Sequence, residues 1–468
     1  MSHTTDVAIV GAGMFGSAAA RHLTDAGVDV TVIGPSGPDD ASTRPEHAFG
    51  AHHDEARIVR RLGWDAVWGS LDARSQERFA SIEERSGLPF FEDCGSLVLM
   101  ARSISHRTEK ILAQCAADGI AVERLDEDDL ARRFPALGAV PIAGGVEGLY
   151  ENRGAGYLNP RLLVRAQLAL AAGGGARHVR AAVTDVRPAG SGGWVLDVRG
   201  DGVDETVNAQ RLLVATGAFT NVAGVLPGGR RLALHAFTEP NLLYELGEEQ
   251  LGALRTLPTV VTVDPEDVGE ANLSLYLLPP VRYPDGRWYM RIGPGMQPVV
   301  DELTRLGDMV EWYAAQTLTP RQEIFLSEMM QMLVPDLKPP SVRSACCIIE
   351  KTPSRYPYIG HVDDETLTVA VGGNGHGARG SDEIGRLAAT VVLGQPWDGA
   401  VPADTFRPRI ASDQMGGDPK CSRRSAVPAR SRCSTVSTTG STHNWARRTP
   451  MGRSSRAASG RSSRSAAR

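Results

Sequence analysis

The chain has 468 residues, 42% of them hydrophobic and 22% charged, with a formal charge of −5. That is the balance of an ordinary globular protein with room for two domains, and it excludes low-complexity and fibrous classes. No apolar run is long enough to cross a bilayer, and the six cysteines (Cys94, Cys115, Cys346, Cys347, Cys421, Cys433) follow neither metal-ligand nor disulfide-framework spacing.

A reduced, cytoplasmic setting is therefore expected. The apolar N-terminus lacks the basic leading region of a signal peptide. Residues 5–34 read strand (DVAIV), glycine turn (GAGMFG), helix (SAAARHLTDAG) and strand (VDVTVIG), a unit that builds parallel sheets. A helix is expected from about Trp68 to Gly87, then a strand-like FFEDCGSLVLM, then a helix over 163–172 (LVRAQLALAA). Residues 183–200 alternate as two strands about a Gly-Ser-Gly-Gly hairpin, and RLLVATGAF (211–219) is a buried strand ending in a tight turn. The stretch 232–300, rich in strands and prolines, suggests an antiparallel sheet; 302–333 is mostly helical. After Pro339 the chain returns to strand, turn and helix in LTVAVGGNGHGARGSDEIGRLAATVVLG.

From Ala411 the patterning stops. Residues 411–468 hold 12 Lys or Arg against 2 Asp, so an acidic body precedes a basic tail of Ser, Arg, Thr, Ala and Gly that cannot bury a core. Two readings stand, a disordered basic tail or out-of-frame translation of a GC-rich gene, which the Arg-Ser-Ser-Arg repeats fit. Nucleic-acid binding is not expected, because Trp445 is the tail's one stacking aromatic.

Gly11, Gly13 and Gly16 form G-x-G-x-x-G between strand and helix, with Met14 and Phe15 opening the helix. The first glycine permits the tight turn, the second admits a pyrophosphate to the backbone, and the third allows helix and strand to pack closely. The acidic residue that usually ends the second strand and holds the ribose is missing. Gly34 stands there, and Asp39, Asp40, Glu46 or backbone groups are the substitutes. The turn suits NAD or FAD. A second glycine cluster, Gly372–Gly380, favours FAD, whose extended length needs a second close backbone approach.

Three segments carry a more specific likeness: GAHHDEARIVR (50–60), RSACCIIEKT (343–352) and GGNGHGARGSDEIG (372–385). Collinear over residues 1–408, they resemble the D-amino-acid oxidase superfamily of FAD-dependent oxidoreductases, and within it the sarcosine oxidase and N-methyltryptophan oxidase branch. The resemblance implies a mixed α/β fold in which a Rossmann-like FAD-binding domain (1–85, 145–225, 340–408) is interleaved with an antiparallel-sheet substrate domain (86–144, 226–339). It implies oxidation of a C–N bond in a small amine or amino acid.

By the same resemblance Cys347 bonds covalently to the flavin, with Cys346 the alternative if the register slips by one. Arg60 and Arg379 clamp a substrate carboxylate, while His53 and Arg57 lie near the flavin ring, where positive charge stabilises the reduced anion. The cofactor-binding residues expected are Gly11, Gly13, Met14, Phe15, Gly16, Val183, Gly217, Cys347, Gly373, Gly375, His376 and Gly377, with no metal. Departures are also visible. Arg291 replaces a lysine that promotes reaction with oxygen, and Gly295 and Ile349 replace a histidine and a tyrosine of the pocket. Trp64, Tyr276 and Tyr283 are candidate aromatic walls. An oxygen-insensitive dehydrogenase and a non-catalytic flavin-binding subunit are the rival expectations.

Overall fold

The first strand, Ser2–Val10, is buried throughout from Val7, because it lies mid-sheet between Val203–Val214 and Val30–Ile33 and parallel to both. A strand covered on both faces has no solvent side, so its apolar run is continuous. The computed structural model describes residues 2–34, 50–63, 65–138, 144–200, 202–263, 275–294, 300–362 and 364–411, all within one unit, Met1–Asp413. Asp39, Asp40, Glu46, Trp64, Gly295 and the tail beyond Ala411 lie outside the described residues.

The sheet around Ser2–Val10 has eight strands. Arg177–Val179 extends it in parallel past Val30–Ile33, and the hairpin Ala182–Pro188/Trp194–Gly200 extends it antiparallel past Val203–Val214. The last three residues of Val203–Val214 also pair in parallel with Asp364–Val371, which turns back on Tyr358–Val362. Helix Met14–Asp25 packs between helices Pro160–Gly173 and Ser381–Val392. At Gly385 a Cβ would meet the Ala19 nitrogen at 2.7 Å, so a small residue sets that close approach. Helix Ala66–Ser86 begins where the Asp65 carboxylate accepts from the Val67 and Trp68 amides, and ends at Gly87 in the left-handed region.

A second sheet has nine strands. Its order runs Glu302–Leu303, His235–Glu245, Trp288–Pro294, Leu275–Arg282, Thr259–Val263, Ser96–Ala101, Val146–Glu151 and Glu123–Leu125, and Val342–Lys351 pairs with His235–Glu245. It is antiparallel apart from the parallel pair Thr259–Val263/Ser96–Ala101. Its core, which includes Leu242, Met290, Leu326 and Met330, is closed by helix Pro320–Leu333.

The stretch FFEDCGSLVLM is two strands rather than one. Phe91–Glu92 joins a small third sheet with Arg57–Val59 and Gly156–Leu158, whereas Ser96–Ala101 joins the nine-stranded one. Gly95, at φ +82°, makes the break. The region 302–333 divides into helices Leu306–Ala315 and Pro320–Leu333, after a short strand at Glu302–Leu303. Among the described residues no helix is long and apolar enough to cross a membrane.

Candidate functional site

The turn between the first strand and the first helix opens a mostly apolar cavity. At φ +112°, Gly11 holds a conformation that L side chains rarely adopt, and a Cβ there would collide with the Ala215 carbonyl. A Cβ on Gly16 would collide with the Gly11 carbonyl. Gly13 differs: among the described residues a Cβ would meet nothing nearer than His52 Nδ1 at 3.7 Å. The protein itself has no packing use for a glycine at 13, whereas a group lying against that backbone does. Helix Met14–Asp25 has no side-chain cap and no acid in its first turn, so its leading amides and positive dipole end are available to an anion. Gly34 is explained by packing, since its Cβ would lie 2.7 Å from the Ala12 nitrogen.

The cavity, about 330 Å³, continues past Val183, Gly217, His52 and His53 to Tyr313, Ile348 and Glu350. Met14 and Phe15 line its start. Its length and its glycine floor suit a dinucleotide: phosphates at the helix N-terminus and the rest directed toward strand Val342–Lys351. Both histidines are neutral at physiological pH. Burial first, then the Arg161 charge, pushes His52 down to about 4 and His53 down to about 3. His53 is therefore not a source of positive charge near neutrality.

The second glycine cluster lies on the first. A Cβ on Gly377 would meet Phe15 Cζ at 2.8 Å, and one on Gly375 would meet Ile349 Cδ1 at 2.6 Å. Gly373 donates its amide to Glu350 Oε1 at 2.9 Å. Burial raises the Glu350 carboxyl pKa. This glutamate escaped the sequence reading. The available signal was parity, since Cys346, Ile348 and Glu350 share one strand face and a charged residue there is out of pattern.

Cys347 occupies the other face. Its Sγ lies 3.6 Å from Arg57 Nη2 and 4.0 Å from the Tyr313 hydroxyl, and its carbonyl accepts from Trp312 Nε1 at 2.7 Å. Cys346 packs into the core of the nine-stranded sheet, where burial pushes its thiol up to about 12. The two cysteines therefore sit in different chemical surroundings.

Around Cys347 gather charged groups from several strands. Asp54 accepts from Arg57 at 2.5 Å and from the Tyr283 hydroxyl at 2.9 Å, and it pairs with Arg291. Arg291 is 3% exposed, lies over the Tyr276 ring at 5.3 Å, and is pushed down to about 10 by burial. Directly across the strand pair from Cys347 stands Glu239. Neither Asp54 nor Glu239 was expected.

Arg60 and Arg379 do come together, though around a third residue. Arg379 Nε lies 2.5 Å from Asp72 Oδ2, and its Nη2 lies 3.2 Å from His376 Nδ1. Burial, then the charge of Arg379, lowers Arg60 to about 9. Burial raises Asp72 to about 6 even with Arg379 beside it. His376 is held well below its ordinary value by burial and by Arg379, and its ring lies 5.2 Å from that of Trp68. The expected carboxylate clamp thus already contains one internal carboxylate, contributed by helix Ala66–Ser86.

Comparison with known proteins agrees with this geometry. The DAO family model, described as FAD dependent oxidoreductase, matches residues 6–391. The chain is 26% identical over 415 residues to monomeric sarcosine oxidase of Streptomyces avermitilis, covering 84% of this chain and 94% of that protein. It is 25% identical over 161 residues to N-methyl-L-tryptophan oxidase of Yersinia pestis, covering 34% of this chain and 40% of that one. Among solved structures it shares its fold with NikD, an unusual amino acid oxidase essential for nikkomycin biosynthesis, at TM-score 0.67 and 20% identity, covering 88% and 98% of the two chains. L-proline dehydrogenase from P. horikoshii gives TM-score 0.67 at 17% identity, covering 87% and 97%.

Proposed function

The chain belongs to the DAO family of FAD-dependent oxidoreductases, and from that premise we propose that it oxidises a C–N bond of a small amino acid or N-alkyl amine to the imine, with oxygen or another acceptor taking the electrons. The observation that carries this reading is the cavity from the uncapped helix end at Gly13 to Ile348 and Glu350, beside Cys347. When bound, FAD supplies the hydride acceptor. The amides of Gly13, Met14 and Phe15 hold its pyrophosphate; Val183, Gly217, Gly373, Gly375, His376 and Gly377 shape the rest of its path. Arg57 supplies positive charge near the ring, and the sulfur beside it is the point of covalent attachment.

Substrate carboxylate is taken by Arg60 and Arg379 in competition with Asp72. The eight-stranded sheet and its helices form the Rossmann-like, FAD-binding part. The nine-stranded sheet forms the substrate part, into which strands Val146–Glu151 and Val342–Lys351 also pair. The free described cysteines support a cytoplasmic setting. Anaerobic mixing with a panel of amino acids and N-alkyl amines tests the reading. Bleaching of the flavin is expected, and its absence with every member would leave a non-catalytic flavin-binding subunit.

One observation favours a dehydrogenase over an oxidase. Arg291, at the position of the oxygen-promoting lysine, is buried and paired with Asp54. A planar, internally neutralised guanidinium does not reproduce a hydrated ammonium.

A further inference from the structure

We infer that Glu239 binds the substrate's amine and takes up the proton that this amine must lose before it can be oxidised. The inference rests on the amine-oxidation reading above. Strand His235–Glu245 pairs with Val342–Lys351 along its length, and in that register Glu239 is the direct partner of Cys347. Directly opposed residues project to the same face, so the carboxyl shares the Cys347 face with Ile349 and Lys351. This is the face that Arg57 reaches, and it looks away from the core that holds Cys346.

Among the described residues, the ionisable groups that act on Glu239 or stand opposite it are cations, a hydroxyl and a thiol. Lys351 and Cys347 come from the partner strand, Arg57 from strand Arg57–Val59, and the Tyr276 hydroxyl, a hydrogen-bond partner of the carboxyl, from Leu275–Arg282. Arg291 and the Tyr313 hydroxyl lie further out, about Cys347. Asn241 Oδ1 is a second acceptor for the Tyr276 hydroxyl, whose single proton serves the carboxyl or Asn241, one at a time. Among the described residues, Glu239 is not committed as Asp54 is, to two arginines and a tyrosine. Burial raises its pKa to about 8, against the opposing charges of Lys351 and Arg57, which suits a group that exchanges protons near neutrality.

An alkylammonium has no lone pair with which to assist loss of hydride from its α-carbon. In the assigned step the N–H proton passes to a Glu239 carboxylate oxygen and the nitrogen keeps the bonding pair. The α C–H bond then breaks, hydrogen and both electrons go to the oxidised flavin, and the iminium carbon is left for water. Charge is conserved: ammonium and carboxylate become amine and carboxylic acid.

The experiment is anaerobic stopped-flow reduction of the holoenzyme across pH, comparing wild type with Glu239→Gln and Glu239→Asp, on the amine that bleaches wild type fastest. Wild-type reduction at low substrate should rise as pH climbs through about 8. Glu239→Gln should lose about 10²-fold near neutrality and regain rate only toward pH ~10, where a free aliphatic amine loses its own proton. Glu239→Asp should restore the lower-pH limb. Binding of tert-butylamine, which has no α-hydrogen, read from flavin absorbance, should weaken at least about tenfold in Glu239→Gln. An unchanged pH profile and unchanged tert-butylamine binding in a flavin-loaded Glu239→Gln overturn the inference while the amine-oxidation reading stands. Failure of every amine to bleach wild type overturns both.

Discussion

The Cys347 sulfur lies 3.6 Å from an Arg57 guanidinium nitrogen, whereas its neighbour Cys346 is sealed into the core. If Cys347 carries the flavin, acid precipitation of wild type should bring the flavin down with the protein. Cys347→Ser should release it to the supernatant with the fold intact, and Cys346→Ser should not. Flavin found wholly in the wild-type supernatant would make Cys347 a packed cysteine and nothing more.

Gly13 and Gly16 should respond differently to added bulk. Gly13→Val faces the cavity but replaces the helix N-cap, so apoprotein stability should fall by only about 1 kcal/mol, while FAD affinity should fall by at least about tenfold as the side chain takes the phosphate space. Gly16→Val meets the Gly11 carbonyl and should not fold. Comparison of apoprotein melting with FAD titration separates the two. A Gly13→Val protein that binds FAD normally would refute the placement of the pyrophosphate.

If Arg60 and Arg379 take an anion, Asp72 should make its binding depend on pH. Its pKa in the fold is raised to about 6 from 3.8, so the group favours the folded state below about 4 and that contribution is lost as pH rises through about 6. As pH falls through the same window the protonated carboxyl releases Arg379. An unreactive carboxylate such as acetate, read by flavin difference spectra, should bind up to about tenfold tighter per unit of acidification from pH ~7.5 to ~5.5. Asp72→Asn should remove that dependence. Affinity that is flat with pH in wild type would place the anion elsewhere.

Arg291→Lys tests the electron acceptor. A compact, strongly hydrated ammonium in place of the planar guanidinium should raise the rate at which the reduced enzyme consumes oxygen, on the order of tenfold or more. The check is to mix photoreduced enzyme with aerated buffer and follow flavin reoxidation and peroxide. An unchanged rate would mean that charge at this position does not govern oxygen reactivity.

Local signals carried much of this far. The turn Gly11–Gly16, helices Met14–Asp25 and Pro160–Gly173, and the hairpin before Trp194 are all written in short-range periodicity and turn chemistry, and the structure holds them. The meeting of Asp72 with Arg379 was not legible, because Asp72 reads as one more polar position on a helix. Glu239 was hidden likewise, since its opposition to Cys347 depends on the register of strands about a hundred residues apart, which no window along one chain can read. The division of FFEDCGSLVLM between two sheets turned on a single left-handed glycine.

The contact of Gly377 with Phe15 has a consequence for biosynthesis. Phe15, which lines the cavity, is backed by a segment synthesised more than three hundred residues later, and the sheet beneath it awaits strand Asp364–Val371. Pairings of such long sequence separation form late and slowly. The cavity cannot close before Glu350, the last residue that lines it, has been synthesised, and until then the glycine turn stays open while a sheet edge stands unpaired. A cofactor that binds only the closed cavity is then expected to load late, and flavin added during refolding should raise the yield of folded protein.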